Sequence, residues 1–425
     1  MNMREMKDSG IEWVGNIPAT WKSIQIKNLF TILSGATPTP DTDNWDGDVL
    51  WITPADYKTK DKYVSGGKRN ISQQGFNTCS TSMIPKGSII FSKRAPIGTV
   101  AINTEVLCTN QGCLSCVSKA DTCNDYYYYV MSVGTEHFEL LGSGTTFKEI
   151  SANSFSNCKL PCPDKCEQEK IASFLDERCS AFNCLISDIQ SQIEALEEYK
   201  RSVITEAVTK GLDPDVEMRD SGIAWVGDIP AHWITHPLYF YFGERKNKNA
   251  LGLETNLLSL SYGKIIRKDI NSNGGLLPES FNTYNIIEKD DIIIRPTDLQ
   301  NDKRSLRTGI AREHGIITSA YIAMKAIKNV NPEYFHYLLH AYDVMKVFYN
   351  MGNGVRQGLN FSEFSRLMVF EPAIEEQNAI VSYLKEKCDE IDLAIAEKKQ
   401  QIETIEEYKK SLIFEYVTGK KEVIV

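Results

Sequence analysis

The chain has 425 residues, of which 42% are hydrophobic and 24% are charged. This length favours two or more domains, and this balance excludes a low-complexity disordered chain. No apolar run reaches the roughly 18–20 residues of a membrane-spanning helix, and residues 1–10 lack the apolar stretch of a signal peptide. We therefore expect a cytoplasmic protein with no membrane partner. The net charge of −9 excludes a uniformly basic nucleic-acid binder.

The acidic residues are concentrated in two segments. Residues 161–217 carry 13 acidic and 6 basic side chains, and residues 372–425 carry 12 and 8. The other two long segments are slightly basic, with 13 basic and 12 acidic side chains in residues 21–160, and 17 and 14 in residues 233–371. Because a local patch and not the total charge governs binding to nucleic acid, the two basic segments stay candidates for it.

The chain contains two copies of one large unit. The sequence of residues 6–21 recurs 212 residues later, and that of residues 193–202 recurs 209 residues later. This period is far above the roughly 20–50 residues of solenoid repeats. We predict a linker, a domain and a helix in each copy, at residues 1–20, 21–160 and 161–217, and then at residues 218–232, 233–371 and 372–425.

The two domains are predicted to be mixed α/β (α+β). Short strand-like runs bounded by turn residues lie at residues 49–52, 88–91, 99–102 and 292–294. Helical patterns lie at residues 126–130 and 332–340. The second of these starts with Pro332, at a position where the missing N–H of proline does no harm.

Each copy ends in a long run of apolar residues at heptad spacing, which indicates a coiled-coil helix. The seam residues are also the predicted partner-binding residues: Leu175, Phe182, Ile189 and Leu196 in the first copy, and Leu384, Ile391 and Ile405 in the second. Each run covers about 40 residues, or about 60 Å of helix. The alternative is a single amphipathic helix on a globular core. The length and the second copy favour packing of the two helices on each other. Polar residues such as Gln192 and Lys398 interrupt the seam, and such positions fix register or contact a further partner.

The sequence lacks the common signatures of catalysis. Residues 142–148 do not have the spacing of a phosphate-binding loop, and residues 331–334 lack the second proline of an adenine methyltransferase motif. The cysteine pairs Cys113/Cys116 and Cys162/Cys166 could each supply half of a zinc site, but neither comes with a second pair or with histidines at zinc spacing. We expect free thiols, no metal and no catalytic residue in this chain.

Basic and amide side chains follow predicted strands in both domains. In the first domain these are Lys93, Arg94, Asn110 and Gln111. In the second domain the equivalent loop carries Arg295, Gln300, Lys303, Arg304 and Arg307. Arginine and lysine can donate to guanine O6 and N7, and asparagine and glutamine can pair with adenine N6 and N7. We predict that these loops contact DNA bases. Further lysines and an arginine could contact phosphates, namely Lys246, Lys248, Lys264, Arg267 and Lys268.

These residues, taken with several motifs, resemble the specificity subunit of type I restriction–modification enzymes along essentially the whole chain. The motifs are Asp8-Ser-Gly-Ile-Glu-Trp-Val-Gly15 and its copy, Ser34-Gly-Ala-Thr-Pro38, Leu50-Trp-Ile-Thr53, Arg94-Ala-Pro-Ile-Gly98, Thr109-Asn-Gln-Gly112 and Glu198-Tyr-Lys-Arg-Ser202. The second copy departs from the Ser-Gly-x-Thr-Pro and Asn-Gln-Gly patterns. Its domain is therefore expected to read a different half-site.

The resemblance implies a subunit that recognises a bipartite double-stranded DNA target and has no catalytic activity of its own. It adds Thr37 and Thr53 to the predicted DNA contacts. It also implies antiparallel packing of the two helices, which would set the distance between half-sites. The expected partners are two modification (methyltransferase) subunits and the restriction subunits. S-adenosylmethionine, ATP and magnesium are expected in those partners, and no cofactor is expected in this chain.

Two other functions are compatible with parts of the sequence. One is a divergent methyltransferase or nuclease, which the missing methyl-donor and phosphate motifs disfavour. The other is a coiled-coil adaptor between proteins, which the basic, amide-bearing loops disfavour.

Overall fold

The computed structural model describes residues 4–58, 61–94, 96–144, 148–223, 225–269, 280–297, 299, 306–351 and 358–423. For residues 348 and 350 it describes the backbone alone. The chain divides into two compact units. The first consists of residues 1–189 and 400–425, and the second consists of residues 190–399.

The first unit is a mixed α/β domain. In chain order its elements are β1 (Met6–Asp8), β2 (Asn16–Pro18), β3 (Lys22–Gln25), α1 (Ile26–Leu29), β4 (Phe30–Ser34), β5 (Trp45–Val49), β6 (Trp51–Ile52), β7 (Tyr63–Val64), α2 (Gln73–Thr78), β8 (Ile89–Ser92), β9 (Val100–Asn103), β10 (Cys108–Thr109), β11 (Cys113–Ser118), α3 (Asn124–Val133), α4 (Thr135–Leu140), α5 (Ala152–Asn157) and β12 (Lys159–Cys162). A 3-10 turn lies at Thr42–Asn44.

The second unit has a parallel series of elements. These are β13 (Met218–Asp220), β14 (Asp228–Pro230), β15 (Ile234–Pro237), β16 (Phe242–Glu244), β17 (Leu258–Ser261), β18 (Lys264–Arg267), β19 (Asn285–Ile287), β20 (Ile292–Ile294), β21 (Thr308–Ile310), β22 (Gly315–Ile317), β23 (Ile322–Ala326), α7 (Pro332–Val344), α8 (Phe361–Phe364) and β24 (Met368–Glu371). The 3-10 turns are Leu238–Phe240 and Val347–Asn350.

The central sheets of the two units share the order of four strands, and the sheet of the first unit has β7 as a fifth strand. The central sheet of the first has the strand order β4-β11-β8-β9-β7, and that of the second has the order β16-β23-β20-β21. A second antiparallel pair closes each domain at its chain ends, β3 with β12 and β15 with β24. The linker hairpins β1–β2 and β13–β14 also match. The duplication read from the sequence is therefore a duplication of fold.

The central strand β8 is buried on both faces, as expected for a strand between two layers. Ile89 and Phe91 face the aromatic helix α3, in a cluster that also contains Tyr127. Ile90 faces the opposite side, in a smaller cluster with Ile52. This alternation follows from the two-residue period of a strand. Each domain thus has a helix-covered face and a loop-covered face.

Two long helices confirm the predicted coiled-coil segments: α6 spans Lys165–Lys210 and α9 spans Ile374–Val417. At the start of α6 the Asp164 carboxylate accepts from the Glu167 N–H at 3.0 Å, which satisfies an otherwise unpaired helix donor. The helix ends at Gly211, whose φ of +77° suits glycine far better than an L side chain. Each helix contributes one half to each unit.

Within each unit the halves of α6 and α9 run antiparallel. In the first unit Phe174 packs on Tyr416, with ring centroids 4.5 Å apart, and Phe182 packs on Tyr408 at 5.6 Å. Later positions on α6 therefore meet earlier positions on α9. In the second unit the Lys200 ammonium contacts Asp392 at 2.6 Å. Two of the predicted seam interruptions also meet there, because Lys398 donates to the Gln192 amide oxygen.

Each domain is fastened to its long helix by the same polar pair. The indole N–H of Trp21 donates to Glu167 at 2.8 Å, and that of Trp233 donates to Glu376 at 3.0 Å. The next helix residue is a buried glutamine in both units. Its oxygen accepts from a backbone N–H at the start of α3 or α7, at 2.9 or 2.8 Å, and its amide donates to a proline carbonyl at 2.9 Å. Satisfied buried amides of this kind fix one orientation of helix and domain.

Candidate nucleic-acid interface

Four chain segments of the first unit meet at one end of its sheet, and we call them the first loop cluster: residues 35–37, 53–56, 93–94 and 109–112. Backbone hydrogen bonds join them. The Ala36 N–H donates to the Thr109 carbonyl at 3.0 Å, and the Asn110 N–H donates to the Ile52 carbonyl at 2.9 Å. The Lys93 N–H donates to the Gly112 carbonyl at 2.9 Å. Segments far apart in the sequence are thereby brought to one surface.

Two glycines make this convergence possible. A Cβ at Gly35 would lie only 2.0 Å from the Thr109 carbonyl oxygen, so the close approach of these two loops requires glycine. A Cβ at Gly112 would lie 3.0 Å from the Asn110 side-chain oxygen and 3.3 Å from the Arg94 Nε. Gly112 therefore marks the point where the predicted contacts Arg94 and Asn110 come together.

The predicted contact residues Thr37 and Gln111 are exposed and bonded to each other, because the Thr37 hydroxyl donates to the Gln111 amide oxygen. The Asn110 oxygen accepts from the Gly112 N–H at 2.9 Å, which shapes the turn. Asn110 is half-buried, and its amide group adjoins the same surface. Hydroxyl and amide groups of this kind can exchange their internal partners for base edges.

Thr53 is held by a carboxylate that sequence reasoning missed. Both the backbone N–H and the hydroxyl of Thr53 donate to Asp56, each at 2.8 Å. The other oxygen of Asp56 accepts from the Lys68 N–H at 3.0 Å. Asp56 therefore fixes the turn after β6 and positions Thr53. Its only sequence signal is the Thr-x-x-Asp spacing, which is common in turns.

Lys93 and Arg94 share a second carboxylate that the sequence did not single out. The Lys93 ammonium lies 2.8 Å from one oxygen of Glu149, and an Arg94 guanidinium nitrogen lies 3.7 Å from the other. The segment is anchored next to them, because the Ile150 N–H donates to the Lys93 carbonyl at 3.0 Å. The Lys93 side chain is 15% exposed and that of Arg94 is 36% exposed. A phosphate approaching this surface would have to compete with Glu149.

Replacing this carboxylate should therefore strengthen DNA binding. For Glu149→Gln, which keeps the shape and hydrogen bonding, we expect non-specific affinity to rise several-fold at low salt. The logarithm of affinity should also fall more steeply with salt, by about one unit of slope, because one more cation becomes available to phosphate. Fluorescence anisotropy over a salt series measures both quantities. Glu105→Gln, which removes a charge from the opposite end of β9, is the matched control.

The second unit presents an equivalent connection between β20 and β21. Arg295 follows β20 as Lys93 follows β8, and its N–H donates to the Arg307 carbonyl at 2.8 Å. This bond joins the end of β20 to the residue before β21, as the bond from the Ser92 N–H to the Thr99 carbonyl at 2.8 Å joins β8 to the residue before β9. The side chain of Arg295 is half-buried and has a polar partner. The predicted contacts Gln300, Lys303 and Arg304 lie outside the described residues. Arg295 therefore lies at the end of β20, and its contact with DNA stays a prediction.

Arg307 does not reach the surface, which contradicts the prediction that its side chain contacts DNA. It is 0% exposed. Its Nε donates to the Tyr349 hydroxyl at 3.0 Å, which donates in turn to Asp343 at 3.0 Å, and its guanidinium also donates to the Thr297 carbonyl. Burial raises the pKa of the Asp343 carboxyl above its usual value. Arg307 instead stabilises the base of the β20–β21 loop. A buried cation must be paired, and its bonds to Thr297 and Tyr349 hold the two ends of that loop in place.

The seam residues predicted to bind partners are turned mainly inward. Leu175 and Leu384 are 0% exposed, and Ile189 and Ile391 are buried as well. Phe182, Leu196 and Ile405 are half-buried. Leu175 packs in the core of the first unit with Leu412, and Leu384 packs in that of the second unit with Val203. The burial of Leu175 and Leu384 contradicts a direct role in holding another protein; their role is to pack α6 and α9.

The cysteine spacing does not produce a metal site. Cys113 and Cys116 lie three residues apart on β11, so they point to opposite faces of the sheet and belong to different clusters. Burial raises the pKa of the Cys113 thiol to about 12 and raises that of Cys116 as well. All eleven cysteines are thiols. Among the described residues, no group of three His, Cys, Asp or Glu side chains is placed to hold a metal ion.

Over the described ranges, no helix is both long enough and apolar enough to span a membrane.

Comparison with known proteins agrees with the resemblance seen in the sequence. Residues 18–195 match the type I restriction modification DNA specificity domain. The type I restriction enzyme MjaIX specificity subunit of Methanocaldococcus jannaschii is 36% identical over 189 residues, which are 44% of this chain and 43% of that protein. The chain thus spans less than half the length of that relative. The putative MjaX specificity subunit of the same organism is 24% identical over 96% of both chains.

A solved structure has the same fold. It is described as the structural basis of complex assembly and conformational transition of the type I R-M system, and it covers 95% of this chain and 99% of its own. The TM-score is 0.69 at 12% sequence identity, so the likeness concerns fold alone. Residues 18–195 thus match the type I restriction modification DNA specificity domain, and the chain as a whole is similar to type I specificity subunits.

Proposed function

We propose that this chain is the DNA-recognition subunit of a type I restriction–modification complex, in which each unit reads one half of a bipartite target. The observation that carries the proposal is the first loop cluster. Within it, Arg94 comes from one segment and Asn110 and Gln111 from another, and the three adjoin one surface inside a domain of the DNA specificity family. Together these side chains offer the donors and acceptors that distinguish guanine from adenine in the major groove.

The two units are proposed to read different bases. In the second unit Thr318, Ser319 and Ala320 precede β23, at the place where Asn110, Gln111 and Gly112 precede β11 in the first. The two surfaces therefore carry different hydrogen-bond donors and acceptors, although the strands around them are arranged alike. Two domains with the same fold but different surface residues suit a bipartite target whose two halves differ in sequence.

The long helices are proposed to set the distance between the half-sites. A helix of 46 residues such as α6 is about 69 Å long, which exceeds the roughly 34 Å of one DNA turn. The antiparallel contacts within each unit pair α6 with α9, and the pair is stiffer than either helix alone. The coiled-coil adaptor function is compatible with these helices alone, but it leaves the loop surfaces unexplained.

Catalysis is proposed to lie in partner subunits. Two modification subunits would methylate the recognised site with S-adenosylmethionine, and restriction subunits with ATP and magnesium would cleave DNA. The acidic outer faces of α6 and α9 are the proposed contact for those partners, since the seam residues are used for internal packing. The cytoplasmic location predicted from the sequence stays a prediction.

The test of this function is a charge-matched pair of variants in the first unit. Arg94→Ala should reduce affinity for the cognate duplex about tenfold or more and relax the base preference within one half-site. Lys119→Ala removes the same charge just beyond the opposite end of β11 and should leave both properties unchanged. Methylome sequencing of a host that expresses the chain with its modification subunit identifies the target, and anisotropy measures affinity.

Three results would contradict the proposal. Equal effects of Arg94→Ala and Lys119→Ala would remove the base-reading role of the loop cluster. Binding to cognate and scrambled duplexes with equal affinity would favour the adaptor function. Methyl transfer or cleavage by the purified chain without partners would favour an enzyme.

A further inference from the structure

The second unit carries a β-hairpin, β17–β18, at a place where the first unit has a turn. A parallel bridge between Leu257 and Ile316 corresponds to the pairing of Trp51 with Cys108 in the first unit. After that point, β6 ends at Ile52 and the chain turns at Asp56. In the second unit the strand instead continues to Ser261 and returns as β18. The hairpin therefore occupies a known position in the repeat but is a different structure.

The two faces of the hairpin have different chemistry. The inner face packs closely on the domain, because a Cβ at Gly309 of β21 would lie 2.6 Å from the side chain of Leu260 and 3.2 Å from that of Ile265. The outer face carries four residues that alternate with the inner ones, namely Ser259, Ser261, Lys264 and Ile266. Lys264 and Ile266 are exposed, and the two serines are half-buried. Hydroxyls, an ammonium and an aliphatic group thus share one outward face.

Arg267 has the register of the inner face, opposite Leu258, and its exposed side chain forms an ion pair with Glu313. Lys268 continues the outer face and is exposed. Its N–H donates to the Leu257 carbonyl at 2.8 Å, which keeps the end of the hairpin attached to the sheet. Asp269 follows on the inner side and has a partner of its own. The described outer face therefore carries positive charge.

The tip of the hairpin is Tyr262, which is 84% exposed. Its φ is +46° and that of Gly263 is +77°, the pattern of a type I′ turn, in which asparagine or glycine is the preferred first residue. A bulky side chain in this left-handed conformation costs about 1 kcal/mol or more. Because the ring is almost fully exposed, packing within the protein does not offset this cost. The tyrosine is better explained by something outside the chain.

The tip lies beside the loop that corresponds to Lys93 and Arg94. A Cβ at Gly263 would lie 3.1 Å from the side chain of Leu306 and 3.7 Å from the Thr308 carbonyl, at the end of the β20–β21 connection. In the first unit Pro54, which follows β6, lies near Arg94, since a Cβ at Gly112 would be 3.1 Å from the first and 3.3 Å from the second. The hairpin tip is thus placed on the equivalent surface of the second unit.

We propose that the β17–β18 hairpin enters the major groove of the half-site read by the second unit, with Tyr262 contacting base edges and Lys264 and Lys268 contacting phosphates. This rests on the function proposed above. A major groove about 12 Å wide admits a two-stranded ribbon, and an aliphatic side chain such as Ile266 suits a thymine methyl group. The second unit then reads DNA with a ribbon, and the first reads it with loops.

The decisive variant is Tyr262→Asn, because Asn-Gly is the most favourable type I′ pair and so preserves the hairpin. For the full chain assembled with its modification subunits, we expect about tenfold weaker binding to a 30-base-pair cognate duplex. Base preference should relax only in the half-site of the second unit, and the unfolding temperature should stay equal or rise. Lys264→Ala should reduce the slope of log affinity against log salt by about one. Lys325→Ala, which removes an exposed charge near the opposite end of the sheet, is the control.

The outcomes separate this proposal from the one it rests on. If the wild-type complex prefers the cognate duplex and both hairpin variants bind as it does, the hairpin proposal is overturned and the recognition function stands. Relaxed preference in the half-site of the first unit would also overturn the hairpin proposal. If the wild-type complex does not distinguish cognate from scrambled duplex, both proposals fail.

Discussion

Exchanging residues 21–160 for the corresponding domain of another specificity subunit is expected to change one half of the methylated target completely and to leave the other half unchanged. The reason is that one antiparallel strand pair joins the two chain ends of the domain. Residues 22–25 pair with residues 159–162 as β3 and β12, with Ile24 opposite Leu160. Both cut points therefore lie side by side at the base of the domain. The exchange replaces the whole first loop cluster and keeps α6 intact.

Methylome sequencing of cells expressing the chimera measures this result directly. The reciprocal exchange of residues 233–371, which β15 and β24 close in the same way, should change the other half-site. Retention of the original target by a folded chimera, or alteration of both halves by one exchange, would show that the units do not read independently.

Removing the indole of Trp21 is expected to destabilise the first unit by about 3–5 kcal/mol, the range for a large buried aromatic replaced by alanine. Trp21 is 1% exposed, and its N–H satisfies Glu167 on α6. Trp21→Ala therefore opens a cavity and also removes the indole donor from one oxygen of Glu167, whose other oxygen keeps its ion pair with Arg4. Trp233→Ala should have an effect of similar size through Glu376.

Denaturant unfolding followed by circular dichroism gives the free energies of unfolding. Trp21→Phe, which keeps most of the ring volume and removes the N–H, should lie between wild type and Trp21→Ala. Leu140→Ala is the control, because Leu140 is 81% exposed and its loss should change stability by no more than about 0.5 kcal/mol. A loss of that small size for Trp21→Ala would mean that this contact does not hold domain and helix together.

The elements that sequence reasoning located well are those with long, regular patterns. The heptads predict a long helix within residues 161–217 and another within residues 372–425, and the structure has them at Lys165–Lys210 and Ile374–Val417. The apolar run at residues 292–294 is β20. The run at residues 49–52 is broken into β5 and β6 after Val49, because the chain changes pairing partner there. A heptad pattern extends over many residues of the sequence, whereas the place where a strand breaks depends on which other segment it pairs with.

The sequence predicted which types of side chain the loops carry, but not which of those side chains are exposed. Arg295 and Arg307 belong to one basic segment, yet Arg307 is buried by Asp343 and Tyr349, which lie more than thirty residues further along the chain. Glu149 was missed for the same reason, since its contact with Lys93 is made by chain folding. The hairpin at Tyr262 had a local signal, alternating Leu and Ser followed by Tyr-Gly, but tyrosine is not a usual residue of such a turn.

The division of the first unit between two distant chain segments has a consequence for biosynthesis. Its core includes Leu412 and Ile413, and the Tyr126 hydroxyl donates to the Val417 carbonyl at 2.8 Å. On the ribosome these residues emerge only after all of residues 190–399, the contiguous second unit, has been translated. The first unit therefore begins synthesis first but completes its core last. Until residues 400–425 emerge, the apolar face of its part of α6 stays exposed in the nascent chain. Such long-range closure slows folding and increases the demand for chaperones.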